Sequence, residues 1–290
     1  MELVARLVVE GFISGMHKSP YQGFSVEFVE HRQYMPGDEI RYIDWKVYGK
    51  SDRYYIKKFE EETNLKSYLL LNISNSMAGI KVEGSESSEQ MSKLEYGCYL
   101  AACLSYLMLK QRDSVGLVTF NDQLRTYIPP RLGPAHLHVL MSELENVTPG
   151  GRTNISATFH ELAQRIVRRG LIIIISDFLD DDAERVLRSL KHLRHKKHEV
   201  IVFHILDPAE LRFPFDGTVL FRDLETGEQL LVEDVESMRA EFYRELDKLT
   251  NEYKSGCGAS SIDYVQIDTS VPFDHALSQY LSKRMRRRQS

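Results

Sequence analysis

The run Leu171-Ile172-Ile173-Ile174-Ile175 constrains this chain more than any other stretch. It is far shorter than the roughly 18 apolar residues needed to cross a bilayer. It shows no alternation of polar and apolar positions, so a strand built from it must be covered on both faces. Tyr68-Leu69-Leu70-Leu71 reads the same way. Strands of this kind belong to a sheet held between two layers of helix, and the chain supplies helical periodicity between the runs.

The element order follows from that alternation. Strand Ser67–Ile73 leads to helix Ser92–Gln111, whose inner side carries Leu94, Cys98, Ala101, Ala102, Leu104, Ser105 and Met108. Strands Val115–Phe120 and Leu124–Ile128 form a hairpin across Asn121-Asp122. Helix Ala135–Leu144, the Gly-rich loop 149–154 and helix Ile155–Arg168, closed by Gly170, precede strand Leu171–Ser176. Asp180, Asp181 and Asp182 cap helix Ala183–His195 and complement its dipole. Strand Glu199–Leu206 and the hairpin Thr218–Arg222/Gln229–Val232 follow. Helix Val235–Tyr253, strand Tyr264–Ile267 and helix Phe273–Arg286 close the order.

The first 62 residues have a different texture. Leu3, Val4, Leu7, Val8 and Phe12 fall at helical spacing, interrupted by Glu2, Arg6 and Glu10, as in a docking helix rather than a secretion signal. A dense aromatic and charged segment follows. A strand is expected at Phe24–Phe28, a turn at Pro36-Gly37-Asp38, and extended chain over Ile40–Tyr48 and Tyr54–Phe59. The boundaries read as 1–62 for an N-terminal segment packing on the main domain and 63–290 for that domain.

Of the 290 residues, 27% are charged, and the net charge of −5 gives no drive toward nucleic acid or anionic membrane. Cys98, Cys103 and Cys257 show no paired spacing, which fits buried thiols in a reducing cytoplasm.

In such sheets ligands bind beyond the carboxyl ends of the strands. That directs attention to Asn72-Ile73-Ser74-Asn75-Ser76-Met77 and to Asp177, one residue past strand Leu171–Ser176. Ser74, Ser76, Thr153 of the Gly-rich loop and Asp177 make an oxygen-only set, which suits Mg2+ or Mn2+ with waters completing an octahedron. Asn72 stands where a carboxylate would be expected, so the set holds only one charge and its metal affinity should be weak.

Asn72-x-Ser74-x-Ser76, Thr153 and Asp177 resemble the metal-ion-dependent adhesion site of von Willebrand factor A domains, whose first motif is Asp-x-Ser-x-Ser. Gly23, Glu27-Phe28, Arg32-x-Tyr34, Pro36-Gly37-Asp38, Arg41 and Ile43-Asp44-Trp45 resemble the signature of the MoxR-associated members of that class, domain-of-unknown-function family 58. Tyr96, Gly116–Phe120, Ser176-Asp177 and Asp223-Leu224-Glu225-Thr226-Gly227 fit the same pattern. Asn72 in place of Asp and Gly49-Lys50 in place of Ala-Arg depart from it.

The resemblance implies a Rossmann-like von Willebrand factor A domain in the α/β class. It has a mostly parallel central sheet with helices on both faces, an N-terminal helix/β extension and a small β-hairpin insertion. It implies a non-enzymatic adaptor that works with a MoxR-type AAA+ ATPase in maturing or remodelling a client complex. The metal position would be completed by an acidic residue of a partner protein. Family members often carry membrane helices before the signature; this sequence has none there and reads as a compact soluble variant.

Other readings compete. A metal-assisted hydrolase would need a general base, and none is evident beside Asp177. Arg32, Asp38, Arg41, Asp44 and Trp45 read as a packed ion-pair network or a partner-binding surface. Gly15-x-x-Lys18-Ser19 lacks phosphate-loop spacing. His192, His195 and His198 sit among lysines that repel cations, and the basic tail 283–288 complements its own helix dipole.

Overall fold

The computed structural model describes residues 1–16, 31–33, 45–51, 54–57, 66–79, 91–180, 182–273 and 277. The chain divides into two compact units, Met1–Ser19 with Leu65–Ser290, and Pro20–Asn64.

In the larger unit α1 (Glu2–Met16) comes first. The smaller unit contains β1 (His31–Gln33), α2 (Trp45–Ser51) and β2 (Tyr55–Lys57). β1 and β2 pair antiparallel, with Arg32 opposite Ile56. The larger unit then runs β3 (Lys66–Asn72), α3 (Lys93–Lys110), β4 (Ser114–Phe120), β5 (Leu124–Arg131), α4 (Pro134–Asn146), α5 (Ile155–Arg165) and β6 (Leu171–Ser176). It continues with α6 (Ala183–His195), β7 (Glu199–Leu206), α7 (Pro208–Arg212), β8 (Val219–Arg222), β9 (Gln229–Val232), α8 (Val235–Ala259) and β10 (Asp263–Asp268).

The central sheet has the order β10-β7-β6-β3-β4-β5. All neighbours are parallel except β4 and β5, which form the hairpin anticipated across Asn121-Asp122. β5 ends the order on that side and carries Pro129 and Pro130. This is the mostly parallel sheet, covered by helices on both faces, that the alternation of apolar runs and helical segments implies.

Residue parity sorts the core. Leu69, Leu71, Ile173, Ile175, Phe203 and Ile205 bury one face under α3 and α4. Tyr68, Leu70, Ile172, Ile174, Val200 and Val202 bury the other under α5, α6 and α8. Each fully buried aliphatic side chain contributes about 1.5–3 kcal/mol over its exposed state. At Gly116 the hairpin partner comes so close that a Cβ would lie 2.6 Å from the Ile128 carbonyl oxygen, so only glycine fits.

The sequence reading groups this helix with the N-terminal segment 1–62; α1 itself falls in the same compact unit as the sheet. Ala5 and Val9 are buried in the first core, the Met1 ammonium meets Glu145 at 2.8 Å, and Tyr106 donates to Glu10 at 2.9 Å. The extended chain expected over Ile40–Tyr48 gives way to helix α2 from Trp45, because the preference of aromatic and β-branched residues for strands is mainly a packing preference. α5 ends at Arg165 instead of reaching Arg168, and Gly170 instead lies where a Cβ would meet the Lys66 carbonyl. The strand at Phe24–Phe28, the turn at 36–38 and the helix after Leu277 lie outside the described residues.

Candidate functional site

β3 ends at Asn72, whose side chain is wholly buried. Its Oδ1 accepts the Ser74 N–H at 3.0 Å, while Nδ2 donates to Ser176 Oγ at 3.1 Å and to Asp177 Oδ1 at 3.3 Å. The amide therefore turns its hydrogens, not its lone pairs, toward Asp177. A carboxylate in its place would face Asp177 as a like charge.

A 3-10 turn, Asn75–Ala78, follows and is anchored by buried Met77. It brings Ser74 Oγ to 2.8 Å from Ser76 Oγ. The Gly-rich loop is tied to this turn by main-chain bonds, Asn75 N–H to the Gly151 carbonyl at 3.0 Å and Gly150 N–H to the Ile73 carbonyl at 2.8 Å. Gly151 has φ +78, and a Cβ there would lie 2.5 Å from Asn121 Nδ2, so glycine is required on both counts. The result is a third hydroxyl, Thr153 Oγ1, 3.5 Å from Ser76 Oγ.

The Thr153 end is already engaged. Its Oγ1 donates to Glu225 Oε1 at 2.6 Å, and its N–H donates to Glu225 Oε2 at 3.0 Å. Glu225 lies in the turn of the β8–β9 hairpin, which Asp223 fixes by accepting from the Glu225 and Thr226 N–H groups.

The Asp177 end is engaged too. Asp177 Oδ2 accepts from Lys93 Nζ at 2.9 Å, and the same ammonium donates to Glu210 Oε1 at 2.6 Å. Lys93 is 1% exposed, Asp177 0% and Glu210 7%, so this is a buried triad and not a surface pair. Burial opposes the ammonium's charge, but Asp177 and Glu210 outweigh it and hold its pKa above the ordinary lysine value. Two carboxylates share one ammonium, and at Glu210 burial prevails and raises the carboxyl pKa. Glu210 is fixed in turn by the capping box of α7, where its Oε2 accepts the Asp207 N–H at 2.8 Å. Behind the triad, burial lowers the pKa of His204 to about 4, with its Nδ1 2.5 Å from the Tyr264 hydroxyl.

Ser74, Ser76 and Thr153 thus lie in one row of hydroxyls, while Asn72 and Asp177 meet each other and lead away to Lys93. The donor types suit Mg2+ or Mn2+, but their charges are spent. Asp177 is neutralised by Lys93, Asn72 presents N–H groups, and Glu225 is held by Thr153. Among the described residues no three His, Cys, Asp or Glu side chains gather as a metal-holding group. The set as arranged does not fit a divalent cation.

Asp38, Arg41 and Asp44 lie outside the described residues, as does the side chain of Arg32. Trp45 meets Tyr48 edge-on at 6.1 Å, and Tyr48 stacks on Tyr54 at 4.4 Å. Cys98, Cys103 and Cys257 are free and buried. Asp182 caps α6 as expected, and Asp180 accepts the first N–H of α5, from Ile155.

Lys93, Glu210 and Glu225 were not foreseen from the sequence. Lys93 carried a signal: a cation in the first turn of a helix opposes the dipole. Asp207-Pro208-x-Glu210 also carried one, as a capping box with Pro at the helix start. Nothing in Glu225-Thr226-Gly227 beyond a surface turn pointed to Thr153.

The family model described as "Protein of unknown function DUF58" matches residues 30–252. An uncharacterized protein of Mycobacterium bovis is 27% identical over 231 residues, covering 78% of this chain and 69% of its own length. One of Mycobacterium avium is 32% identical over 107 residues, covering 35% and 60%. Among solved structures, the conserved hypothetical protein BatB of Bacteroides thetaiotaomicron aligns with a TM-score of 0.48 at 21% identity, over 76% of this chain and 98% of that one.

Proposed function

Because the chain belongs to the DUF58 family, whose members are described as proteins of unknown function, we propose that it is a non-enzymatic protein-interaction module. In this reading its loop face docks an acidic side chain of a partner. It serves as adaptor to a MoxR-type AAA+ ATPase in maturing or remodelling a client complex in the cytoplasm. The observation that carries the reading is that Thr153 already holds a carboxylate, through its N–H and its hydroxyl, at the half-buried end of the site. A pair of donors converging on one carboxylate is a recognition device, worth about 1.5–3 kcal/mol for each bond to a charged group. A partner's Asp or Glu would take the place of Glu225. Affinity for Mg2+ or Mn2+ is weak at most in this reading.

A metal-assisted hydrolase finds less support. Asp177 is tied to an ammonium and Glu225 to Thr153, so neither is free to take a proton from water.

The test is a binding measurement between the purified chain and a MoxR-type ATPase. Thr153→Val should weaken binding at least about tenfold, since a loss of 1.4 kcal/mol is a factor of ten. Glu225→Gln should strengthen it by weakening the internal competitor. Unchanged affinity in both variants overturns the docking reading. Phosphate-ester hydrolysis that disappears in Asp177→Ala would transfer the case to the hydrolase.

A further inference from the structure

We propose that the Lys93 ammonium is the resident cation of this site, holding the charge of Asp177 where an adhesion-type site would use a divalent metal, so that the loop face works without one. The inference deepens the interaction reading by stating how the face is kept in order.

Three observations carry it. Lys93 sits at the first position of α3, against the helix dipole, a placement that costs stability unless acidic partners offset it. It is almost wholly buried, and its ammonium lies 2.9 Å from Asp177 and 2.6 Å from Glu210. Asn72 completes the fit, because its amide donates to the other oxygen of Asp177. Both oxygens of Asp177 therefore receive hydrogens from fixed side chains. A divalent ion could claim Asp177 only by expelling an ammonium held by two carboxylates. Asn72, which replaces the carboxylate of the related motif, is the residue such an arrangement calls for. A second acid there would leave Lys93 facing three carboxylates in a buried space.

The ions themselves are the probe. Thermal melting of the full chain is followed in EDTA, in MgCl2 and in MnCl2, with free Mn2+ counted by electron paramagnetic resonance. The wild-type chain should melt at one temperature in all three and leave Mn2+ free. Lys93→Arg, which keeps the charge, should behave alike. Lys93→Met should melt lower in EDTA and recover part of the loss in MnCl2, as the exposed acids acquire a cation from solution. A wild-type melting temperature that rises with Mg2+ or Mn2+ and falls with EDTA overturns the proposal, as does tight Mn2+ uptake by the wild-type chain. These melts use no partner protein, so they stand whether or not the ATPase binds.

Discussion

Lys93 shows how one side chain can decide the character of a site. Both of its acidic partners are buried with it, so removing the ammonium leaves uncompensated charge in the interior. Breaking a buried pair in this way costs about 3–5 kcal/mol. Lys93→Met should lose about that much in urea denaturation at neutral pH. A loss below about 1 kcal/mol would mean that water reaches the triad. Asn72→Asp makes the complementary prediction. It sets a carboxylate beside Asp177, at a contact that is now 3.3 Å, and like charges so close raise one of the two pKa values. The folded variant then prefers the protonated form. Its deficit relative to wild type should be larger at pH 7 than at pH 5, measured by denaturation at both. An equal deficit at both values would mean that the new carboxylate finds another partner.

At the scale of the element, caps and close approaches set the boundaries. Ser92 caps α3 in a reciprocal box with Glu95, and Ser92→Ala should cost about 1 kcal/mol by thermal melting. Gly116→Val should cost more. Its side chain would press on the main chain of β5 rather than on a yielding side chain, and overpacking costs about 1–3 kcal/mol even where neighbours can move. Such features also explain what the sequence made legible. The limits of β6, α6, β7 and β9 were readable to the residue, because apolar runs and capping aspartates leave few alternatives. Five-residue α7 was invisible to periodicity, since a single turn has none, although its capping box was present. The hydroxyl row could be assembled from strand ends and loop order. Its charge balance could not, because Lys93 reaches Asp177 across 84 residues of chain and Glu225 reaches Thr153 across 72.

At the scale of the whole molecule, buried titratable groups shape the response to acid. Burial brings the His204 imidazole down to about 4. The unfolded chain takes up a proton near pH 6.5, which the folded chain refuses until about pH 4. Stability should therefore fall as pH drops through that window, by up to about 3 kcal/mol from this residue alone, and then level off. Denaturation midpoints between pH 7 and pH 4 measure the decline, and a flat profile would show that His204 is reached by water.

The β5 border of the sheet bears on how copies of the chain behave when crowded. A border strand normally offers a row of N–H groups to any extended peptide that drifts past. Pro129 and Pro130 have none to offer, so β5 makes a poor template for strand addition. The chain thus carries a guard against self-stacking along that border, and Pro129→Thr with Pro130→Thr should form amyloid-type fibres sooner on agitation than the wild-type chain.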